Sequence, residues 1–447
     1  MKNKKATNSI ANDVDICIRK SMAIIEKLCP RNNVCLGIRV RDSYHNGDIP
    51  KFSMFTACEM LWAVTTSGKY SRAHYLIVEL LTAINTELEN GYFSKKDRAF
   101  EKAFILLATT SAGQSIREKI YVETVESILD SQKNDGAWSS YSGGEADLRA
   151  TALNVVALSE CNKYVGATDL EPFSKIELSV TRACEWIKRA YTESGYCERI
   201  VVGLSECGTQ PQRTPGIELT AWCTYALIVA TESFEYYKNI ARGGTENFSG
   251  TIKKSIIWMT QQDTDKVAET PEIESEIYLK DIQKPKELTT HEYGAGSLEI
   301  LILALLAYRQ SRLYKYIKNF NKILENSIFR LMENMNQDGE WYDKNSCSYS
   351  RAWPVSYALK VLTTFREYLA SQETFKTQLF QQIRIIISLI PALLWKYKIA
   401  IFFIVLTTVS VCFADTIKTY IQYFNSPIFT IIGLALSAIS VWQGSKK

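Results

Sequence analysis

Among the eleven cysteines of the chain no Cys-x-x-Cys pair occurs, and their number is odd. Both facts speak against a disulfide framework and against a zinc ribbon. The thiols read instead as reduced, mostly buried small apolar residues. Histidine is scarcer still, with only His45, His74 and His291. Excess charge is also missing: the formal net charge is +4, spread along 447 residues. No basic stripe marks a nucleic-acid surface, so none is expected to bind. No low-complexity tract argues for long disorder. The basic start, Met1 to Lys5, runs into Ala6, Thr7 and Asn8 without an apolar stretch behind it. No signal peptide is expected, and the N-terminal part should stay in the cytoplasm.

Long apolar runs are confined to the end of the chain. Ile399 to Ala414 is apolar apart from Thr and Ser, and Ser426 to Trp442 is a second such run. Each approaches the shortest length that spans a bilayer, about 17 residues. Asp415 to Asn425 suits a tight connection, and Asn425-Ser426-Pro427 suits a helix start. Arg384, Lys396 and Lys398 precede the pair, and Lys446-Lys447 follow it. Positive flanks on one side put both termini in the cytoplasm, at the inner membrane. Ile385 to Trp395, interrupted by Pro391, reads as a helix lying in the interface. The expected organisation is a soluble domain over 1–370, a linker and interfacial helix over 371–398, and a two-helix transmembrane hairpin over 399–447.

The soluble part repeats itself. Four copies of a helix end, a Gly turn and an aromatic read Asn90-Gly91-Tyr92, Asp135-Gly136-Ala137-Trp138, Ser194-Gly195-Tyr196 and Asp338-Gly339-Glu340-Trp341. Gly supplies the left-handed residue that ends a helix. Amphipathic helices precede the turns, near 12–29, 69–89, 115–132, 174–190, 248–262 and 317–335. Helices rich in small and apolar residues follow them, starting near 53, 97, 148, 217, 294 and 352. Examples are Thr56-Ala57, Thr151-Ala152, Thr220-Ala221 and Ser356-Tyr357-Ala358-Leu359. No pair of this size buries a face alone. Six pairs closed in a ring share one core lined by the second helix of each pair. The expected fold is all-α, an (α/α)6 toroid of six helical hairpins followed by the two transmembrane helices; an open solenoid is the alternative.

Gln132-Lys133-Asn134-Asp135-Gly136-Ala137-Trp138 resembles the Gln-Trp repeat of squalene and oxidosqualene cyclases. The helices that begin Thr-Ala resemble theirs and those of protein prenyltransferase β subunits. The resemblance spans about residues 12–369 and implies the toroid. The cyclases protonate an alkene with an Asp-x-Asp-Asp motif directly before such a Thr-Ala pair. Here Asp147-Leu148-Arg149-Ala150 stands at that place, so only the first Asp is kept and Arg149, which cannot act as an acid, takes the donor's position. Before Thr220-Ala221, Glu218 fills the donor position without supporting carboxylates. Glu218 and Asp147 are therefore the catalytic candidates. Prenyltransferases hold zinc with Asp, Cys and His at inner-helix starts. The matching set here is Asp343, Cys347 and His291, a weak one; the expectation is no metal and no cofactor, with zinc as the alternative.

In such a ring the turns open at one end. That rim collects Asp42, His45, Asp48, Asp97, Arg98, Glu145, Asp147, Arg149, Glu218, His291, Glu292, Asp343 and Arg351. Trp62, Phe104, Trp222, Tyr225, Trp353 and Tyr357 are available to line the centre. The candidate ligand-binding set is Arg149, Glu145, His291, Glu292, Arg351, Trp222 and Trp353. Helix caps and ordinary aromatic core are the competing reading for both groups. Two long connections, Cys197 to Gly216 and the charged stretch Asp263 to Thr290, read as lids or docking arms, or for the second as disorder. Three functions stay open. A membrane-anchored toroid without intact cyclase or prenyltransferase chemistry would bind a ligand or partner at the inner leaflet. A membrane effector would use the toroid as sensor, by analogy with bacterial defence proteins. An enzyme would act on an isoprenoid or lipid. The expected partners are the bilayer, an isoprenoid, peptide or small molecule, and a second copy through the hairpin.

Overall fold

The structure is a computed structural model of the whole chain. It describes residues 2–29, 54–68, 70–71, 74–92, 99–140, 146–166, 171–201, 212–234, 248–269, 272–277, 288–293, 296–343, 348–350 and 355–372. The backbone forms two units, Met1–Leu313 with Asn321–Leu369, and Tyr314–Phe320 with Ala370–Lys447. In the second, the ring of Tyr314 meets that of Phe320 edge-on at 5.9 Å. Residues 399–447, where the apolar runs fall, lie outside the described residues. Among the described residues no helix is long and apolar enough to cross a membrane.

The first unit is a ring of helix pairs. Its outer helices are α1 (Lys2–Leu28), α3 (Tyr75–Glu89), α5 (Lys119–Asp130), α7 (Ile176–Arg189), α9 (Ser249–Met259) and α12 (Phe320–Glu333). Its inner helices are α2 (Met54–Thr66), α4 (Ala99–Ala112), α6 (Leu148–Val165), α8 (Ile217–Ser233), α11 (Ser297–Gln310) and α13 (355–372). A short α10 (Thr264–Glu269) follows α9. The outer helices are amphipathic: α7 buries Ile176, Val180, Ala183, Cys184 and Ile187, one face at helical spacing. The inner helices are buried nearly all round, as Leu298 to Leu306 of α11 are. That is why their sequences are apolar on every side. Consecutive inner helices α2, α4, α6, α8 and α11 pack side by side. Arg309 of α11 donates through Nε to the Tyr368 hydroxyl of α13 at 3.2 Å. Lys360 of α13 donates to Thr66 Oγ1 of α2 at 2.9 Å. The inner ring is therefore closed, and an open solenoid is not the fold.

The repeated turns do more than end helices. Gly136 has φ +96°, and a Cβ there would stand 2.7 Å from the carbonyl oxygen of Arg182 on the next outer helix, α7. Gly195 approaches Lys254 of α9 in the same way, and Gly339 approaches Lys20 of α1. Each of these three turns is thus seated on the outer helix that comes next around the ring. Gln132 fastens one such joint: its Nε2 donates to Gly136 O at 2.8 Å and to Ser179 O of α7 at 2.9 Å. The Ser179 hydroxyl donates back to Gln132 Oε1 at 3.0 Å. The buried Trp138 donates its indole N–H to Ile128 O of the helix just ended, at 2.8 Å.

The ring is mostly helical as expected, and among the described residues short two-stranded pairings stand beside the helices. Three antiparallel two-stranded hairpins join turns to inner helices: β1 (Glu198–Val201) with β2 (Gln212–Pro215), β3 (Glu272–Ile277) with β4 (Leu288–Tyr293), and β5 (Trp341–Asp343) with β6 (Ser348–Ser350). The first two fall in the long connections; in the second, residues 272–277 pair with 288–293, with Glu274 opposite His291, while 278–287 lie outside the described residues. The composition explains it: Glu272-Ile273-Glu274-Ser275-Glu276-Ile277 alternates polar and apolar with the period of a strand. The helix of the first pair also starts earlier than expected, at Lys2.

Candidate functional site

Each inner helix is entered from a turn, so the inner N-termini gather at one end of the ring. The entry uses a repeated device. Thr151 Oγ1 accepts from Trp138 N–H at 3.0 Å and donates to Asp147 O at 2.6 Å. Thr220 Oγ1 accepts from Cys197 N–H at 2.9 Å and donates to Gly216 O at 2.6 Å. In these two pairs the Thr thus ties the residue two past the turn glycine to the first turn of the inner helix.

At this end three glutamates sit in the first turns of inner helices: Glu101 of α4, Glu218 of α8 and Glu299 of α11. All three are buried, and Glu59 of α2 is buried as well. Carboxylates are favoured there because helix N-termini carry partial positive charge. Glu299 also accepts the Gly296 N–H at 2.8 Å, and Glu101 accepts the Tyr92 hydroxyl. Asp147 caps α6 by accepting the Ala150 N–H at 2.6 Å. Arg149, half-buried, stands in the first turn of α6, and Glu218 in that of α8; each precedes the Thr of its Thr-Ala pair by two residues. The arrangement is a set of buried acids and the Arg149 guanidinium near the starts of inner helices, of which Glu299 and Asp147 accept backbone N–H groups there. It can present charge to a polar ligand. Asp147, committed to a cap, has no second aspartate beside it in sequence to share a proton.

Trp222 is buried below this end. Its ring lies 6.3 Å from Tyr357 and 6.4 Å from Tyr225. Trp222 and Tyr357 come from inner helices that are not neighbours, so the pair crosses the interior of the ring. Phe104 meets Phe55 at 4.8 Å and Trp62 at 6.3 Å, both edge-on. These aromatics pack on one another as a core.

Of the other expected site residues, the backbone places His291 and Glu292 in β4 and Asp343 at the end of β5, opposite Ser348. Glu145, Arg351, Trp353, Cys347, Asp42, His45, Asp48, Asp97 and Arg98 lie outside the described residues. His74 is the N-cap of α3, where its Nδ1 accepts the Leu76 N–H at 3.3 Å, rather than a residue within that helix. Among the described residues no group of three or more His, Cys, Asp or Glu could hold a metal ion. Glu59, Glu101 and Glu299 were not expected in the site. For Glu59 and Glu299 the signal was present: each is a lone carboxylate among apolar residues, as in Cys58-Glu59-Met60-Leu61-Trp62, whereas Glu101 is masked by the adjacent Lys102. Outside the ring, a groove of about 380 Å³ is lined by Lys102, Glu123, Glu126, Ser127, Asp130 and Ser131. It is acidic and open, and the Lys102 ammonium already reaches Ser127 O at 3.5 Å.

No protein-family model and no curated protein sequence matches the chain. Solved structures do resemble it. The Lin0763 protein from Listeria innocua superposes with a TM-score of 0.52 at 11% identity, covering 81% of this chain and 98% of that one. The α-1,6-mannanase GH76A from Salegentibacter gives 0.51 at 12%, covering 80% and 99%. A type II terpene cyclase from Scytonema in complex with geranylgeranyl dihydroxybenzoate gives 0.46 at 10%, covering 80% and 99%. At these identities the likeness is one of fold, the α/α toroid.

Proposed function

We propose that the protein is a ligand- or partner-binding toroid, held at the inner leaflet by its C-terminal apolar hairpin and without working cyclase or prenyltransferase chemistry. The observation that carries this reading is the start of α6. The resemblance to squalene cyclases puts a proton-donating aspartate pair there, and this chain has Arg149 and Ala150 in its place, with Asp147 spent on the helix cap. An acid able to protonate an alkene needs neighbouring groups that raise its acidity, and a guanidinium has no proton to give near neutral pH. Binding remains open to the mouth, because buried acids and Arg149 offer fixed charge at an end from which three hairpins spring. The apolar runs Ile399 to Ala414 and Ser426 to Trp442, with basic flanks, support the tether.

The test uses the full chain in lipid nanodiscs. Incubation with squalene or a prenyl diphosphate should yield no cyclised product, and native mass spectrometry should find a bound small molecule or peptide. Cyclised product that disappears in Glu218→Gln would overturn the reading in favour of an isoprenoid enzyme.

A second reading rests on the spacing of Gly433 and Ser437, four apart in the second apolar run. Small residues at that interval let helices approach closely in lipid. A hairpin that oligomerises through them would make the protein a membrane effector with the toroid as sensor. Replacing both with Leu keeps insertion and blocks close approach. Loss of a membrane-potential or growth effect in that variant supports the effector; equal behaviour of both forms removes it.

A further inference from the structure

The opposite end of the ring, where the inner helices finish, holds a second polar feature that the mouth does not use. Lys360 of α13 extends to Thr66, the last residue of α2, so its ammonium stands at this end. It lies 4.6 Å above the Trp62 ring. The Thr66 hydroxyl in turn donates to Trp62 O at 2.7 Å, which fixes its lone pairs toward the amine. Among the described residues no carboxylate comes within 4 Å of Lys360. Glu160 of α6, the acid whose charge acts on it most, is paired with Lys163 at 2.7 Å.

Three polar side chains are half-buried in the middle of inner helices at this end. Glu160, Tyr225 and Lys360 come from α6, α8 and α13, three inner helices that are not all neighbours. Each is half-buried between fully buried residues before and after it. An inner helix has protein on every side but one, so exposure in mid-helix is exposure to the interior. The charge of Glu160 acts on both Tyr225 and Lys360, as expected of groups that face the same interior. The Trp222 and Tyr357 rings lie one turn nearer the mouth on α8 and α13, 6.3 Å apart, and with the Trp62 ring of α2 they offer apolar surface beside these groups.

We infer that these residues line a pit on the ring axis that binds a small organic anion, a carboxylate or phosphate monoester, with its charge on the Lys360 ammonium and its apolar part against the Trp62, Trp222 and Tyr357 rings. The chemistry follows from the imbalance. A cation has been taken out of water with one hydroxyl and one ring face as compensation, and a desolvated charge is stabilised strongly by a counter-ion brought to it. Burial lowers the Lys360 amine to about 8, against the opposing pull of Glu160 and Glu367. The other charged group acting on it is Lys163 on α6, which lowers it further; Arg309 of α11 is engaged with Tyr368. An anion that binds the ammonium must therefore pull a proton onto the amine when the pH is above 8. The site is separate from the mouth and does not rest on the function proposed for it.

The experiment is isothermal titration of the full chain in nanodiscs with phenyl phosphate, at pH 7 and pH 9, in buffers of different ionisation heat. One phenyl phosphate should bind per chain, with proton uptake at pH 9 beyond that of the ligand itself. Inorganic phosphate, which lacks the apolar part, should bind at least tenfold more weakly. Lys360→Met should lose binding at least tenfold. Lys360→Arg should keep it without proton uptake by the chain, because guanidinium stays charged at pH 9. Native mass spectrometry of the chain from its host membrane, against Lys360→Met, separates a lipid from a soluble source of the anion. Equal binding by wild type and Lys360→Met, or no proton uptake by wild type at pH 9, would overturn the inference. Should Lys360→Met fail to fold, uptake by Lys360→Arg equal to that of the wild type overturns it alone.

Discussion

Gly339 lies against Lys20, so close that a Cβ on the glycine would stand 2.8 Å from the lysine Cβ. The contact joins the turn after the last outer helix to the first outer helix. It has the same form as the joints inside the ring, Gly136 on Arg182 and Gly195 on Lys254. Around it Lys20 Nζ donates to Gln337 O at 2.6 Å, and Trp341 donates its indole N–H to Ser21 Oγ at 3.1 Å. The seam of the toroid is thus a copy of its ordinary joints.

The first prediction follows from that identity. Gly136→Ala and Gly339→Ala should each destabilise by about 1–3 kcal/mol from the strained backbone alone, and by more through the clash with the next helix. Gly68 also has positive φ, +60°, but nothing lies within 4 Å of a Cβ there. Gly68→Ala should therefore cost less than either. Thermal melts of the three variants check the order; a Gly68→Ala loss as large as that of Gly136→Ala would mean the seating on the next helix contributes nothing.

A second prediction concerns Gln132. Replacing it with Leu leaves two carbonyls and the Ser179 hydroxyl without their partner. The loss should be about 1–3 kcal/mol, larger than for Ser179→Ala, which removes one bond of the three. Denaturant unfolding of both variants measures it.

The third prediction is a pH dependence. Unfolded, the Lys360 amine holds its proton up to about 10.5; folded, it releases it near 8. Between those values the unfolded chain binds more protons, so this group makes stability rise with pH. Burial acts oppositely on thiols: Cys29 and Cys161 are pushed from 9 up to about 12. Their stabilisation is complete below pH 9 and is lost as pH climbs toward 12. The difference between wild type and Lys360→Met isolates the amine. Wild type should gain about 1–3 kcal/mol on the variant from pH 7.5 to 10, read from melts across that range. A constant difference would show that the amine is not desolvated.

The expected membrane topology can be checked with little change to the protein. Cys17, Cys29, Cys58, Cys161, Cys184, Cys197 and Cys223 are buried and can stay. With the other four replaced by Ser, a single cysteine at Thr419 should react with an impermeant maleimide outside intact cells, and one at Ser445 should not. Labelling at Ser445, or none at Thr419, removes the hairpin.

Much of the ring could be read from residues. The outer helices announce themselves by one apolar face, and the turns by glycine followed by an aromatic, because both signals are local. The hairpins were harder. In Glu272 to Ile277 charge density hid an alternation that a strand needs, and the pairing with Leu288 to Tyr293 depends on a partner far along the chain. Glu59, Glu101, Glu299 and Lys360 were missed for another reason. One charged residue in an apolar helix normally turns outward, and only the closed ring shows that an inner helix has no outward side. Asp147 was legible by position, and its role as a cap became visible only with the Ala150 N–H beside it.

The seam also sets an order of assembly. Gln132 and Ser179 are 47 residues apart, whereas Ser21 and Trp341 are separated by 320. Closing the longer loop first would cost about 1.7 kcal/mol more in chain entropy. Once the intervening joints exist, that cost has already been met in small steps, and the last turn arrives facing the first helix. The toroid is therefore expected to grow pair by pair and to close at Lys20 last. Any change that weakens an early joint should then delay closure even though it lies far from the place where the ring shuts.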